Sequence, residues 1–245
     1  MSYRFFHAQA PVDAQFMLSG EQAHHAINVM RYRVGDQIVI FDGQGTEHDA
    51  EIESLTKKQL TARLLDSRQV DRSLDRCITM IVALPKGDRQ KFLIEKLVEL
   101  GVTELVPLAT QRSVAEVKPK VIERIEKQIV EASKQCGRNF LMKVTPAISV
   151  SQLCEGNPES PFKITDDMLK LLSHPYDSKP LPAFSLAPDR PVAIAIGPEG
   201  GFTESEVASL LDAGWDATKL GPTILRIETA AIAAASILGI GGMSD

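Results

Sequence analysis

Little in this chain of 245 residues points to an oxidising compartment or a bilayer. Its three cysteines, Cys77, Cys136 and Cys154, are odd in number and far apart. They form no CxxC pair and no zinc spacing, which excludes a disulfide framework and a metal finger. Free thiols in a reducing cytosol are expected instead. Long hydrophobic runs are also missing. The most apolar segment, Ala230 to Ile240, falls short of the ~20 residues that span a bilayer. The opening Met1-Ser2-Tyr3-Arg4-Phe5-Phe6-His7 has no signal-peptide core. Positive charge is not in excess either. A formal net charge of −5 excludes a generally basic nucleic-acid binder, though not a local basic face. No G-x-G-x-x-G follows the first strand of the second half, where Pro85-Lys86-Gly87-Asp88 stands, so a nicotinamide dehydrogenase is disfavoured. There is no internal repeat and no metal-ligand spacing. A soluble, cytoplasmic protein of one large or two smaller domains is expected.

Two rhythms divide the chain. Residues 1 to 72 read as short strands, such as Gln37 to Phe41 and Leu60 to Leu65, with a turn at Asp42-Gly43-Gln44-Gly45 and one helix over Glu21 to Met30. That pattern suits a small barrel. Asp66 to Arg76 is polar and reads as a linker. From Cys77 onward strand and helix alternate. Ile78 to Leu84, Glu104 to Leu108, Met168 to Leu172 and Val192 to Ile196 read as strands. Arg89 to Leu100, Lys120 to Cys136 and Glu204 to Leu211 read as helices, the first two stopped by Gly101 and Gly137. The alternation predicts an open, mostly parallel sheet.

Two turns carry the chemistry. Ile196-Gly197-Pro198-Glu199-Gly200-Gly201-Phe202 joins a buried strand to a helix. Glycines there admit a close backbone approach, and a helix start attracts polar ligand groups. Leu220-Gly221-Pro222-Thr223-Ile224-Leu225-Arg226 repeats the arrangement before the last helix, so the two turns can build one pocket. Thr203 and Glu206 have the spacing of a capping box and are read as structural. Between Arg112 and Lys143 eight basic residues face four acids, among them Glu116. Such a strip suits a phosphate backbone, and equally a solvated helix with Glu/Lys pairs.

These residues resemble a known family. Gly-Pro-Glu-Gly-Gly at 197–201 and Leu-Gly-x-x-Ile-Leu-Arg-x-Glu-Thr-Ala at 220–230 are similar to the two C-terminal motifs of the SPOUT methyltransferases. Gln135-Cys136-Gly137-Arg138-Asn139 narrows the resemblance to the RsmE-type 16S ribosomal RNA (uracil-N3)-methyltransferases. The first part resembles their PUA-like barrel, with His24 to Arg31 at the usual place. The resemblance implies an α/β fold: a SPOUT α/β-knot domain over 73–245, with a deep C-terminal trefoil knot, behind a PUA-like β-barrel over 1–72. It implies S-adenosylmethionine as cofactor, a homodimer packed on the Ala-rich helix from Thr229, and 16S rRNA of the small ribosomal subunit as partner. Two positions depart from the motif: Thr223 stands for an arginine and Ile227 for a threonine.

Carried onto this sequence, the resemblance places His174, Ile196, Gly197, Pro198, Glu199, Gly200, Gly201, Leu220, Gly221, Ile224, Leu225 and Arg226 around the cofactor. Glu199 either bonds a ribose hydroxyl or braces its turn. Arg31, Arg33, Lys86, Arg89, Arg112, Arg138 and Asn139 are the RNA-binding candidates. Arg138, Arg226 and Glu228 are the catalytic ones. Uracil N3 is a poor nucleophile while protonated, so the site must remove that proton or polarise the flanking carbonyls with cations. Arg226 alternatively pairs with Glu228. A ribose 2′-O-methyltransferase and a non-catalytic ribosome-assembly factor are the competing functions.

Overall fold

Burial alternates strictly along Gln15–Ser19, with Phe16 and Leu18 inside and Met17 outside. A sheet with one apolar face demands this period of two. The computed structural model describes residues 4–113, 117–155, 162–176, 178–181, 187 and 189–240, so Glu116 lies outside the described residues. Its contacts gather into two units, Met1–Ser73 with Val130–Leu141, and Leu74–Ile129 with Met142–Asp245.

The first unit is a five-stranded sheet. Its strands are β1 (Arg4–Phe6), β2 (Gln15–Ser19), β3 (Gln37–Phe41), β4 (Thr46–Leu55) and β5 (Gln59–Gln69), in the order β1-β3-β4-β5-β2. β1 runs parallel to β3, and the other pairs are antiparallel. Phe5, Phe16, Leu18, Ile38, Ile40 and Ile52 form the core on one face. The expected helix over 21–30 is α1 (Gly20–His24) running on into a π turn over His25–Val29.

The expected linker needs correcting. β5 continues through Gln69, which sits opposite Thr46. Its polar side chains are held by cross-strand charge: Arg68 contacts Glu47 at 3.1 Å and also pairs with Asp49. A strand stabilised by ion pairs carries no apolar signature. On this sheet Glu47 is 3% exposed and receives three guanidinium groups, Arg4 at 3.1 Å, Arg68 at 3.1 Å and Arg72 at 3.2 Å. Burial works against the carboxylate, but the hydrogen bonds and charges of Arg72, Arg4 and Arg68 hold its pKa below the ordinary range. Arg4 also donates to Asn139 Oδ1 and lies 4.7 Å from the Phe41 ring centroid.

The second unit is a parallel sheet. Its strands are β6 (Ile78–Val82), β7 (Glu104–Ala109), β8 (Lys143–Val144), β9 (Ile148–Ser149), β10 (Leu169–Ser173), β11 (Lys179–Pro180), β12 (Val192–Ile196) and β13 (Asp216–Lys219). They run in the order β11-β13-β10-β12-β6-β7-β8, with β9 paired to β7. Every described pairing is parallel. β6 and β12 are buried at every residue, as central parallel strands require. The helices are α2 (Asp88–Glu99), α3 (Pro119–Cys136), whose residues from Val130 on belong to the first unit, α4 (Val150–Glu155), α5 (Glu204–Asp212) and α6 (Ile227–Ile240). The expected capping box is present on α5: Thr203 Oγ1 accepts from the Glu206 amide, and the Glu206 carboxylate accepts from the Thr203 amide. α6 is apolar nearly all round and buries Ile227, Ala230, Ala231, Ala234, Ala235 and Leu238, the mark of a helix inside a core.

Arg76 also departs from the linker reading. It is fully buried, and its guanidinium donates to the carbonyls of Leu238, at 3.0 Å, and Ala187. Burial pushes its pKa below the ordinary value, with the Asp189 charge opposing. Lysine lacks the planar fork that reaches two acceptors. Arg76→Lys is therefore expected to destabilise the protein by about 1–2 kcal/mol in urea unfolding. Stability equal to wild type would show that the fork contributes nothing.

Candidate active site

The glycine turns follow from the strands that feed them. β10, β12 and β13 lie side by side, and their carboxyl ends open into one recess. From β10 the chain passes to β11 at the sheet edge and then to β12 on one side of β10, and it crosses back to place β13 on the other side, between β10 and β11. Ligands in open parallel sheets bind where consecutive connections leave in opposite directions. The recess holds, with its open mouth, about 680 Å³ free of protein atoms.

The two turns meet there. From the end of β12 come Ile196, Gly197, Pro198, Glu199, Gly201 and Phe202. After β13 come Leu220, Gly221, Thr223, Ile224 and Leu225. Ser173, His174 and Pro175 close the side below β10. Sequence reasoning did not single out Phe202 or Lys219, which also line the recess. The signal for Phe202 was available, since an aromatic directly follows the glycine turn. A Cβ on Gly197 would lie 2.9 Å from the Phe202 ring, and Gly201 has φ +68°, so both positions need glycine. Gly221 differs: it lines the recess, and a Cβ there would meet no protein atom within 4 Å.

Two of the cofactor candidates sit elsewhere. Gly200 is outside the lining and gives its carbonyl to Arg112 Nη1 at 2.7 Å. Arg112 also reaches the Phe202 carbonyl at 3.4 Å, so it braces the glycine turn from behind. Arg226 lines a second recess that shares Ile224 and Leu225 with the first and adds Asp88, Arg89, Phe92, Glu228 and Thr229. Arg226 is exposed, and its carbonyl accepts from the Ala230 amide at the start of α6. Among the described residues its guanidinium has no ion-pair partner, so the alternative pairing with Glu228 is not formed.

Glu228 is instead the buried acid of this region, 8% exposed at the amino end of α6, where a carboxylate is favoured. Arg89 stands between two acids, with Nη1 2.9 Å from Glu199 Oε1 and 3.9 Å from Glu228 Oε2. Glu199 thus braces its turn through an arginine of α2, a partner that spacing along the chain does not reveal.

The remaining candidates are distributed. Arg31 and Arg33, in the first unit, are exposed, and Arg31 has φ +57°. Lys86 is exposed in the second unit. Arg138 and Asn139 belong to the first unit. Arg138 is 9% exposed and its Nε donates to the Phe140 carbonyl at 2.7 Å. Asn139 is 1% exposed, accepts from Arg4 and donates to the Val70 carbonyl at 2.9 Å. Its amide is occupied in joining the segment after α3 to the sheet. In the basic strip, Lys134 pairs with Glu131 at 2.9 Å, and Arg124 donates to Gln90.

Comparison with known proteins shows the family. Residues 72–239 match the model of an RNA methyltransferase domain, and residues 18–65 that of an RNA methyltransferase PUA domain. The chain is 32% identical to ribosomal RNA small subunit methyltransferase E of Bacillus subtilis, over 91% of this chain and 89% of that one. It is 30% identical to the protein of that name from Synechocystis, over 94% and 75%. A putative methyltransferase from Legionella pneumophila, solved with bound SAM, superposes with a TM-score of 0.88 at 31% identity, covering 99% of this chain and 98% of that one. Ribosomal RNA small subunit methyltransferase E from Neisseria gonorrhoeae, bound to S-adenosyl methionine, gives 0.86 at 29% identity, covering 98% of each. On the match of both domains and the near full-length identity, this chain belongs to the ribosomal RNA small subunit methyltransferase E family.

Proposed function

We propose that this protein transfers a methyl group from S-adenosylmethionine to N3 of a uridine in the 16S rRNA of the small ribosomal subunit. The observation that carries the reading is the single recess built by two glycine turns at the carboxyl ends of β10, β12 and β13. The residues present suit the cofactor. Ile196, Leu220, Ile224 and Leu225 offer apolar walls to a purine, and Glu199 and His174 offer polar edges to hydroxyl and amino groups. Gly221 leaves room where any side chain would intrude. Bound there, S-adenosylmethionine supplies a methyl group on a sulfonium, an activated leaving group.

The chain's own work is to hold the base in line with that methyl and to make N3 nucleophilic. Arg226, an exposed cation of the adjoining recess with no ion-pair partner among the described residues, would contact an RNA phosphate or a base carbonyl. Arg138, tied to the Phe140 carbonyl, shapes the segment after α3. Arg31, Arg33 and Lys86 supply exposed charge for the RNA backbone. The domain division near residue 73, the trefoil knot, assembly as a homodimer and a cytoplasmic location complete the reading.

The test is direct. Incubating the protein with labelled S-adenosylmethionine and small ribosomal subunits lacking the modification, then digesting the RNA, is expected to yield labelled N3-methyluridine. Label on a ribose oxygen, or none beside an active control, would overturn the proposal.

A further inference from the structure

The second recess holds a group that the fold leaves unsatisfied. Glu228 is nine-tenths buried, and its Oε2 is covered yet accepts no hydrogen bond among the described residues. The nearby guanidinium of Arg89 stands 3.9 Å away, held by Glu199 at 2.9 Å. Leaving a charged acceptor buried without a donor is costly, and native structures keep such groups where something else completes them. The recess around it is not a generic cleft. Phe92 lines it and is nearly half exposed; Lys96 Nζ lies 5.7 Å from its ring centroid, and the rest of the ring offers an aromatic surface suited to stacking on a base. Arg226 adds a cation with no ion-pair partner among the described residues. Ile224 and Leu225 line both this recess and the cofactor recess, so the two adjoin.

We infer that this second recess receives the target pyrimidine, and that Glu228 both selects uracil and takes its N3 proton. The inference rests on the methyltransferase reading above. The selection follows from hydrogen-bond chemistry. Uracil N3 carries a hydrogen and donates, which matches a carboxylate. Cytosine N3 is an acceptor and would face the carboxylate lone pair to lone pair. N3-methyluracil has lost the donor, so the product is rejected from the place where the substrate is held. In the reaction the N3 proton passes to the Glu228 carboxylate. The electron pair left on N3 forms the new bond to the methyl carbon, while the carbon–sulfur bond breaks and leaves its electrons on sulfur as a neutral thioether. The protonated Glu228 returns its proton to solvent after the product leaves.

The test separates binding from turnover. A 16S rRNA fragment is prepared with the target uridine intact, replaced by cytidine, or already N3-methylated. Its affinity for the full-length protein is measured by fluorescence anisotropy without methyl donor. Wild type is expected to prefer the uridine form by roughly tenfold over both others. Glu228→Gln is expected to erase that preference, because an amide both donates and accepts, and to lower kcat at least tenfold with little change in the affinity for S-adenosylmethionine. Phe92→Leu keeps the volume apolar and is expected to weaken all three RNAs alike. Wild-type discrimination retained by a well-folded Glu228→Gln protein would overturn the inference. So would a Phe92→Leu protein that loses its oligomeric state in gel filtration while its RNA affinity stays unchanged, since a second copy would then cover this face. If wild type neither binds S-adenosylmethionine nor methylates subunits, the functional reading fails as a whole. If it does both while Glu228→Gln still discriminates, only the pyrimidine pocket falls.

Discussion

Gly221→Val is expected to abolish useful affinity for S-adenosylmethionine while leaving the protein folded. Gly221 lies outside the left-handed backbone region, and an added Cβ meets no protein atom within 4 Å, so the substitution strains nothing. Its two methyl groups would stand inside the recess between the glycine turns. A bound ligand would have to give up contacts or shift against walls that do not yield, a penalty of about 2–3 kcal/mol, or roughly a hundredfold in Kd. The neighbouring glycines provide the contrast. Gly197→Ala drives a methyl into the Phe202 ring, and Gly201→Ala carries about 1–2 kcal/mol of backbone strain, so both weaken fold and binding together. Calorimetric titration with thermal unfolding separates the two cases. Unchanged affinity in Gly221→Val would show that the recess between the turns is not where the methyl donor binds.

Glu47→Ala is expected to be the most destabilising single change in the first unit, by about 3–5 kcal/mol. The carboxylate is enclosed and shared by Arg4, Arg68 and Arg72. Arg68 and Arg72 are about half exposed and can turn to water, so most of the cost falls on Arg4, whose side chain is 11% exposed. The double variant Arg4→Met, Glu47→Leu removes both charges and is expected to be less damaged than Glu47→Ala alone. Amide exchange in β3, β4 and β5 would localise the effect.

The pH dependence of Glu47 has a definite sign. Its folded pKa lies below the ordinary carboxylate value, so its contribution is complete at neutral pH. The contribution is lost as pH falls from about 4 towards the folded value. Wild type should therefore lose stability more steeply in that acid range than the double variant. Parallel acid-unfolding curves would show that the cluster carries no net stabilisation.

The readable parts of this molecule are those in which local sequence decides. β6 and β12 announce themselves as unbroken apolar runs because central parallel strands are buried on both faces. The start of α5 is legible because a capping box is closed by residues three apart. The recess was legible in outline, since two glycine-bearing turns each precede a helix, the first of them after the apolar run of β12. β4 and the end of β5 were not, because Glu47, Asp49 and Arg68 satisfy one another across strands and look like solvent-facing charge in the sequence. β13, Asp216-Ala217-Thr218-Lys219, is too short and polar to register, and its place beside β10 is a tertiary choice. The same holds for Arg89. A basic residue opening a helix reads as a phosphate contact, and only the fold brings Glu199 and Glu228 to it.

The order of strands has a consequence for how the molecule is made. During translation β6 leaves the ribosome early, but its neighbour β12 is synthesised only after the whole intervening stretch, with Ile78 pairing Val192. Until then one side of an entirely apolar strand has no permanent companion, a hazard for sticking to other nascent polypeptides. Pairings this remote also close slowly. The second unit is therefore expected to gain its native state only once β12 has emerged, and to profit from holding chaperones in the interval.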